Sequence, residues 1–236
     1  MGRVLPILFN EEMVRAILDG KKTVTRRAIK YKYRNTEMKM RTDKYGTRLI
    51  EIQKDIEGET HGKNPDGGTW HKLLPYIEKE PPYKRGDILY VRETWAFIPC
   101  IDCNMGYDYP VECHEEPVTY EDRYSISEGC FIYREVFPEQ DSDRKRICWN
   151  PSIHMPKQDA RIWLEVTDVS VERLKDIDTR GCQWEGIDIS RGGVFRRFSE
   201  LWDSTIQKAK IDRYGWRANP WVWVIRFERC RKPEGQ

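Results

Sequence analysis

Between Ala160 and Leu174 apolar and polar residues alternate, and the alternation slips by one residue partway along. Ile162, Leu164 and Val166 share one parity, while Val169 and Val171 share the other. Period two specifies an extended strand with one buried face, and a one-residue slip turns every later side chain to the opposite face. The slip at Thr167-Asp168 is therefore expected to be a bulge or a hairpin corner. Ile88 to Trp95, launched by Gly86-Asp87, and the closing run Trp221 to Phe227 are further strands. A chain patterned this way must build its core on a sheet.

Helices are fewer. Leu5 to Phe9 is a short apolar strand or extended lead-in, and Asn10 can cap a helix whose first turn holds Glu11 and Glu12. Met13, Val14, Ile17 and Leu18 recur at helical spacing, and Gly20 suits the C′ position that ends the helix. Asp178 or Thr179 can start a second helix running to Gly186. A third is predicted from about Val194 to Lys208, with Phe195, Phe198, Leu201, Trp202 and Ile206 on one face. The order is helix, several strands, two helices and a last strand, with no internal repeat. That is an α+β arrangement on a small mixed or barrel-like sheet rather than a βαβ alternation. We expect one domain over 1–236, with long insertions at about 28–85 and 96–150.

The two insertions have opposite character. From Lys21 to Arg48 the chain carries Lys21, Lys22, Arg26, Arg27, Lys30, Lys32, Arg34, Lys39, Arg41, Lys44 and Arg48, opposed only by Glu37 and Asp43. Tyr31, Tyr33 and Tyr45 are interleaved. Such a segment suits backbone attraction plus base stacking in nucleic-acid binding, and equally suits a solvated loop. Residues 53–72, rich in Gly, Asn, Pro and Asp, have a loop signature. The second insertion is acidic from Pro99 to Asp122 and gathers Cys100, Cys103, Cys113, His114 and Cys130. Cys100, Cys103, Cys113 and Cys130 have spacing that suits a structural zinc, with His114 competing as a ligand; unbound thiols are the alternative. Cys148, Cys182 and Cys230 read as ordinary buried residues. His154, between prolines, suits a hydrogen-bonded structural role or a cleft wall.

Seven cysteines, an odd number, argue against a disulfide framework and for a reducing compartment. No run reaches the length of a transmembrane helix, and Val4 to Phe9 is too short for a secretory segment. These features predict a soluble cytoplasmic protein without a membrane partner. The net charge of +2 is too small to announce a polyanion partner by itself, so the distribution of charge matters more than its sum.

The stretch Gly20-Lys21-Lys22-Thr23-Val24-Thr25-Arg26-Arg27 places lysines, threonines and paired arginines just after a helix end. It could handle a polar nucleophile or an anion, or be a solvated basic turn. With the strand Gly86 to Val91, Val166-Thr167-Asp168-Val169 leading into Glu185-Gly186-Ile187, and the strand Pro220 to Glu228, it resembles the ASCH domain family of the PUA-like barrel group. Val91-Arg92-Glu93-Thr94-Trp95 and Pro151-Ser152-Ile153-His154-Met155-Pro156 are similar to longer ASCH proteins carried by bacteriophages and prophages. The resemblance covers the core and leaves both insertions unexplained. It implies a PUA-like mixed β-barrel with flanking helices.

Some small members of that family are amidohydrolases that deacetylate N4-acetylcytidine with a Lys, a Thr three residues later and a Glu. By that resemblance Lys22 is the base, Thr25 the nucleophile and Glu185 the acid, since Lys21 reaches only Val24 in the same frame. The chemistry is coherent: a threonine hydroxyl needs an adjacent base, and a lysine serves as one only when desolvation or nearby cations lower its pKa. The alternative is an RNA- or DNA-binding module, or a ribonuclease, without amidase activity. Lys21, Arg26, Arg27 and Arg92 would then contact phosphates and Trp95 would stack on a base. Trp95 and the Trp221/Trp223 pair suit a core equally well.

Overall fold

The computed structural model describes residues 2–34, 36–44, 46–53, 61–63, 69–71, 76–99, 118–121, 126–137 and 147–233. The fold is mixed α and β, dominated by strands. Its centre is a five-stranded sheet. β1 (Val4–Leu8) lies parallel to β8 (Ile88–Arg92), and β12 (Trp163–Arg173), β13 (Trp221–Cys230) and β2 (Val24–Ala28) follow antiparallel in that order.

The slip in the sequence is a bulge within one continuous strand, because the register of β12 against β13 shifts between Val166 and Asp168. Thr167 is the extra residue. It reverses the parity of the strand, so Val169 packs against the same core as Ile162, Leu164 and Val166. Over that core lies α1 (Glu11–Leu18), whose Val14 and Ile17 are 0% and 1% exposed. Burying each such side chain contributes roughly 1.5–3 kcal/mol. Asn10 caps the helix by accepting from the Met13 amide at 2.9 Å. Gly20 ends it at φ +71°, a left-handed conformation that a Cβ would strain.

The other face of the sheet carries α2 (Thr179–Trp184) and α3 (Val194–Ser204) over Val24, Leu174, Val222 and Val224. Asp178 caps α2, accepting from the Gly181 amide at 2.6 Å. α3 stops at Ser204 rather than Lys208, and a 3-10 turn leads into the short α4 (Ile211–Tyr214). Phe198 and Trp202 form the buried ridge of α3. Phe195, in the first turn of α3, is 44% exposed, and Val194 beside it packs on the core instead.

The expected barrel does not close among the described residues. The edges of the central sheet, β1 and β2, share no backbone ladder, and the Arg27 Nη2 side chain spans them by donating to the Leu8 carbonyl at 2.7 Å. Pro6 lies on this edge strand, where a residue without an N–H is tolerated. No helix among the described residues is long and apolar enough to cross a membrane.

The insertions are built largely of strands. β3 (Thr36–Asp43) and β4 (Gly46–Gln53) form a hairpin that β7 (Tyr76–Glu78) extends, and β5 (His61–Lys63) pairs with β6 (Thr69–His71). β9 (Trp95–Pro99), β10 (Val118–Glu121) and β11 (Ile126–Tyr133) make a three-stranded sheet ordered β10-β11-β9. Part of the basic segment is therefore a hairpin, and part of 53–72 is strand rather than loop.

Glu51 of β4 fastens that hairpin to the chain leaving β2. Its buried carboxylate accepts from the Lys32 and Tyr33 amides at 2.8 and 2.9 Å and from Thr36 Oγ1 at 2.5 Å, and pairs with Lys79. Burial would raise this carboxyl, but Lys79, Thr36 and the two amides outweigh it and hold it down at about 2. A depressed folded-state value stabilises above the unfolded value, about 4.3, and that stability is lost as pH falls toward the folded one. Glu51→Gln is expected to cost roughly 2–4 kcal/mol of local stability. Hydrogen-exchange protection of peptides spanning 36–53 should fall accordingly at pH 7, and the variant should lose the acid-induced decline of protection that the wild type shows.

Candidate active site

β2 begins where α1 ends, and the turn between them carries Lys22. Its backbone forms an isolated antiparallel bridge with Glu185, at the C-terminal cap of α2. Gly186 makes the approach possible: it has φ +94°, and a Cβ there would stand 2.8 Å from the Ala16 Cβ and 3.4 Å from the Lys22 Cβ. The sequence thus brings together, from positions 163 apart, two residues whose side chains then meet in the interior.

The Lys22 side chain is 0% exposed and that of Glu185 is 5% exposed. Lys22 Nζ donates to Glu185 Oε2 at 2.5 Å, to the Val24 carbonyl at 2.9 Å and to the Glu185 carbonyl at 3.1 Å, so all three ammonium protons have acceptors. Glu185 Oε1 accepts from Arg26 Nη1 at 3.2 Å, and Arg26 Nε donates to Glu172 Oε1 at 2.7 Å. The result is an alternating chain of charges, Lys22, Glu185, Arg26, Glu172, reaching from the interior toward solvent. The Phe9 ring centroid lies 5.7 Å from Lys22 Nζ and 5.3 Å from the Arg27 guanidinium carbon.

Burial pushes the Lys22 ammonium below its ordinary range. Glu185 opposes that shift, and Arg27 and Arg26 reinforce it. Burial likewise lowers Arg27. Cys182, close to Arg26 and Glu185, is pushed up to about 11 by its own burial, which makes it a poor nucleophile at neutral pH.

Thr25 follows on β2, 3% exposed and opposite Ile225 of β13. Successive strand residues face opposite sides, so Thr25 points away from the face that carries Val24 and Arg26. Among the described residues its hydroxyl has no hydrogen-bond partner, and the Lys22 amine is committed to other acceptors. The structure thus joins Lys22 to Glu185 and leaves Thr25 nearby in sequence but unlinked.

The other expected contacts are placed as follows. Lys21 is exposed and paired with Asp19 at 2.8 Å. Arg26 is buried in the charge chain. Arg27 is bound to Leu8, and Arg92 donates to the Ile153 carbonyl at 3.0 Å and the Tyr90 hydroxyl at 3.3 Å. Trp95 is 3% exposed, with Phe131 at 5.3 Å between ring centroids. Cys100, Cys103 and Cys113 lie outside the described residues, as does His114; Cys130 is buried on β11. Among the described residues no group of His, Cys, Asp or Glu is placed to hold a metal. Cys182 is buried as expected, whereas Cys148 is exposed and Cys230 only partly buried. His154 is exposed.

Sequence reasoning missed the partners of the pair. Arg26 was legible only as a cation, and Glu172 only as one polar residue in an alternating strand. Phe9 looked like the end of a lead-in.

Removing the Glu185 charge leaves Lys22 buried without its counter-ion. Glu185→Gln is expected to destabilise the protein by roughly 3–5 kcal/mol at pH 7. A lysine whose folded-state pKa is lowered binds fewer protons folded than unfolded, so stability rises with pH between the lowered value and the ordinary 10.5. The deficit of Glu185→Gln, read from urea midpoints against wild type, should shrink as pH is raised from 7 to 10. No family model matches the chain, and no curated protein or solved structure does either.

Proposed function

We propose that the chain is an ASCH-type amidohydrolase acting on N4-acylated cytidine, built on a PUA-like sheet that is open along the β1/β2 seam. The observation that carries the reading is the buried Lys22–Glu185 pair, closed at 2.5 Å between groups that are 0% and 5% exposed. Burial pushes the Lys22 ammonium below its ordinary range, and its hydrogen bond to Glu185 Oε2 gives the proton a path, leaving the amine free as amide cleavage asks. The amine takes the proton of the Thr25 hydroxyl as its oxygen attacks the acyl carbonyl, and the carboxylic acid protonates the departing N4 amine. Water then hydrolyses the threonine ester, giving cytidine and the free acid. For the first step the Thr25 side chain must meet Lys22, and substrate binding is what would draw the amine from its carbonyl acceptors.

A purely structural ion pair would support none of this, and the two accounts separate in one assay. N4-acetylcytidine incubated with the purified protein should be converted to cytidine, followed by chromatography. Lys22→Ala and Thr25→Ala should each lower kcat by at least about a thousandfold. No turnover by folded wild type, or turnover that survives Thr25→Ala, would overturn the assignment.

A further inference from the structure

We propose that the end of the central sheet where β2 finishes and β13 begins carries a second site, one for single-stranded nucleic acid. Lys30, Lys32 and Arg34 come from the chain just beyond β2, and Lys208, Lys210 and Arg213 from the connection between α3 and α4 and from α4 itself; all six are exposed. Two hydrogen bonds hold these segments together. The Tyr31 amide donates to the Tyr214 hydroxyl at 3.1 Å, and Arg213 Nη2 donates to the Tyr33 carbonyl at 3.3 Å.

Among the described residues no carboxylate pairs with any of these six cations. Asp212 is exposed on α4 and dilutes the field without neutralising it. Other basic residues are matched, among them Arg26 with two glutamates and Arg48 with Asp43 and Glu78. Unmatched cations brought this close repel one another, and a polyanion relieves that repulsion by replacing their counter-ions.

The aromatic residues narrow the class of polyanion. Tyr33 is 55% exposed, and the Lys32 ammonium lies 5.7 Å from its ring centroid. Arg213 stacks on Tyr31 at 4.1 Å, and the Tyr31 and Tyr214 rings are 6.4 Å apart. Beside them runs a groove of about 380 Å³, lined by Ala28, Lys30, Tyr31, Ile206, Lys210 and Tyr214. That volume is at the small end of ligand sites and suits a single base. Tyrosine rings and guanidinium planes offer faces to unpaired bases, which a duplex keeps stacked inside. The extended strand β2, Val24–Ala28, spans about 13 Å between Lys22 and Lys30, so this surface lies at the opposite end of that strand from the Lys22–Glu185 pair.

The test is fluorescence anisotropy of labelled, unstructured RNA and DNA oligomers at several salt concentrations, with wild type and two variants. Wild type should bind at least one oligomer, and the RNA and DNA arms tell which sugar is preferred. Lys30→Glu/Lys210→Glu should weaken binding at least tenfold at low salt and flatten the slope of log affinity against log salt by about 1.4, the share of two phosphates. Tyr33→Ala should weaken binding at least fivefold with little change in slope. Both variants alter exposed side chains, and circular dichroism checks their fold. The proposal fails if wild type binds neither oligomer, or if both variants bind as wild type does. It also fails if polyphosphate of equal charge competes as well as the oligomer. Nucleoside turnover plays no part in the readout, so failure here leaves the amidase reading standing.

Discussion

A lysine that water cannot reach must find three acceptors and a counter-charge within the protein, and Lys22 finds them all at the junction of α1, β2 and α2. Desolvating an ammonium and a carboxylate costs several kcal/mol each, and their attraction repays this only when geometry is tight and the remaining protons are bonded. The geometry here is set by backbone: the Gly20 turn delivers Lys22, and Gly186 lets the Glu185 segment approach within contact of Ala16. Hydrophobic residues of similar volume often replace such a pair without loss of stability. A buried lysine paired with glutamate is thus an expensive way to join two segments. The expense is intelligible if a proton is to move between them.

Two other carboxylates do for the insertions what Glu185 does for the core. Glu51 gathers the amides of Lys32 and Tyr33, so the hairpin of β3 and β4 is tied to the chain just past β2. Glu93, 3% exposed on its side chain, accepts two bonds from Arg161 at 2.9 and 2.8 Å, and Arg161 also reaches Glu135 at 3.2 Å. The Arg161 guanidinium stacks at 4.2 Å on Tyr133, whose hydroxyl donates to the Asp159 carbonyl at 2.7 Å; burial first, then Glu93, pushes that phenol up to about 12. Planar guanidinium fits carboxylate and ring together, which an ammonium would not. Each insertion is thus docked through a polar knot set beside an apolar contact, Met38 and Leu49 with Ile29, Val171 and Trp223 in one case and Trp95 and Phe131 with Tyr90 and Trp163 in the other.

Where period and punctuation carried the information, the sequence was legible. The parity slip in β12 announced its bulge, Asn10 and Gly20 bounded α1, and Asp178 capped α2. Where tertiary partners decide, it was not. In β3 and β4 apolar Met38 and Leu49 alternate with Lys39, Arg41 and Arg48, so a one-sided strand was hidden in what read as a basic loop. Closure of the sheet depends on whether β1 and β2 share a ladder, which no local pattern encodes. Lys22 and Glu185 were named from a resemblance. That they meet without water, and that Arg26 belongs to the same chain of charges rather than to a phosphate, follows only from the fold.

Arg26 also explains why a basic stretch in sequence is a poor guide to a basic surface. Of the cations between Lys21 and Arg48, Lys22 and Arg26 are consumed inside and Arg27 closes the seam to Leu8. Arg48 is held by Asp43 and Glu78. What remains without a carboxylate are Lys30, Lys32 and Arg34, and the fold sets them beside Lys208, Lys210 and Arg213 from a distant part of the chain. A net charge of +2 conceals this sorting. The interior holds its cations in balanced pairs, while this end of the sheet keeps a group of cations exposed and without a carboxylate, and it is exposed charge that generates a field an approaching polyanion can feel.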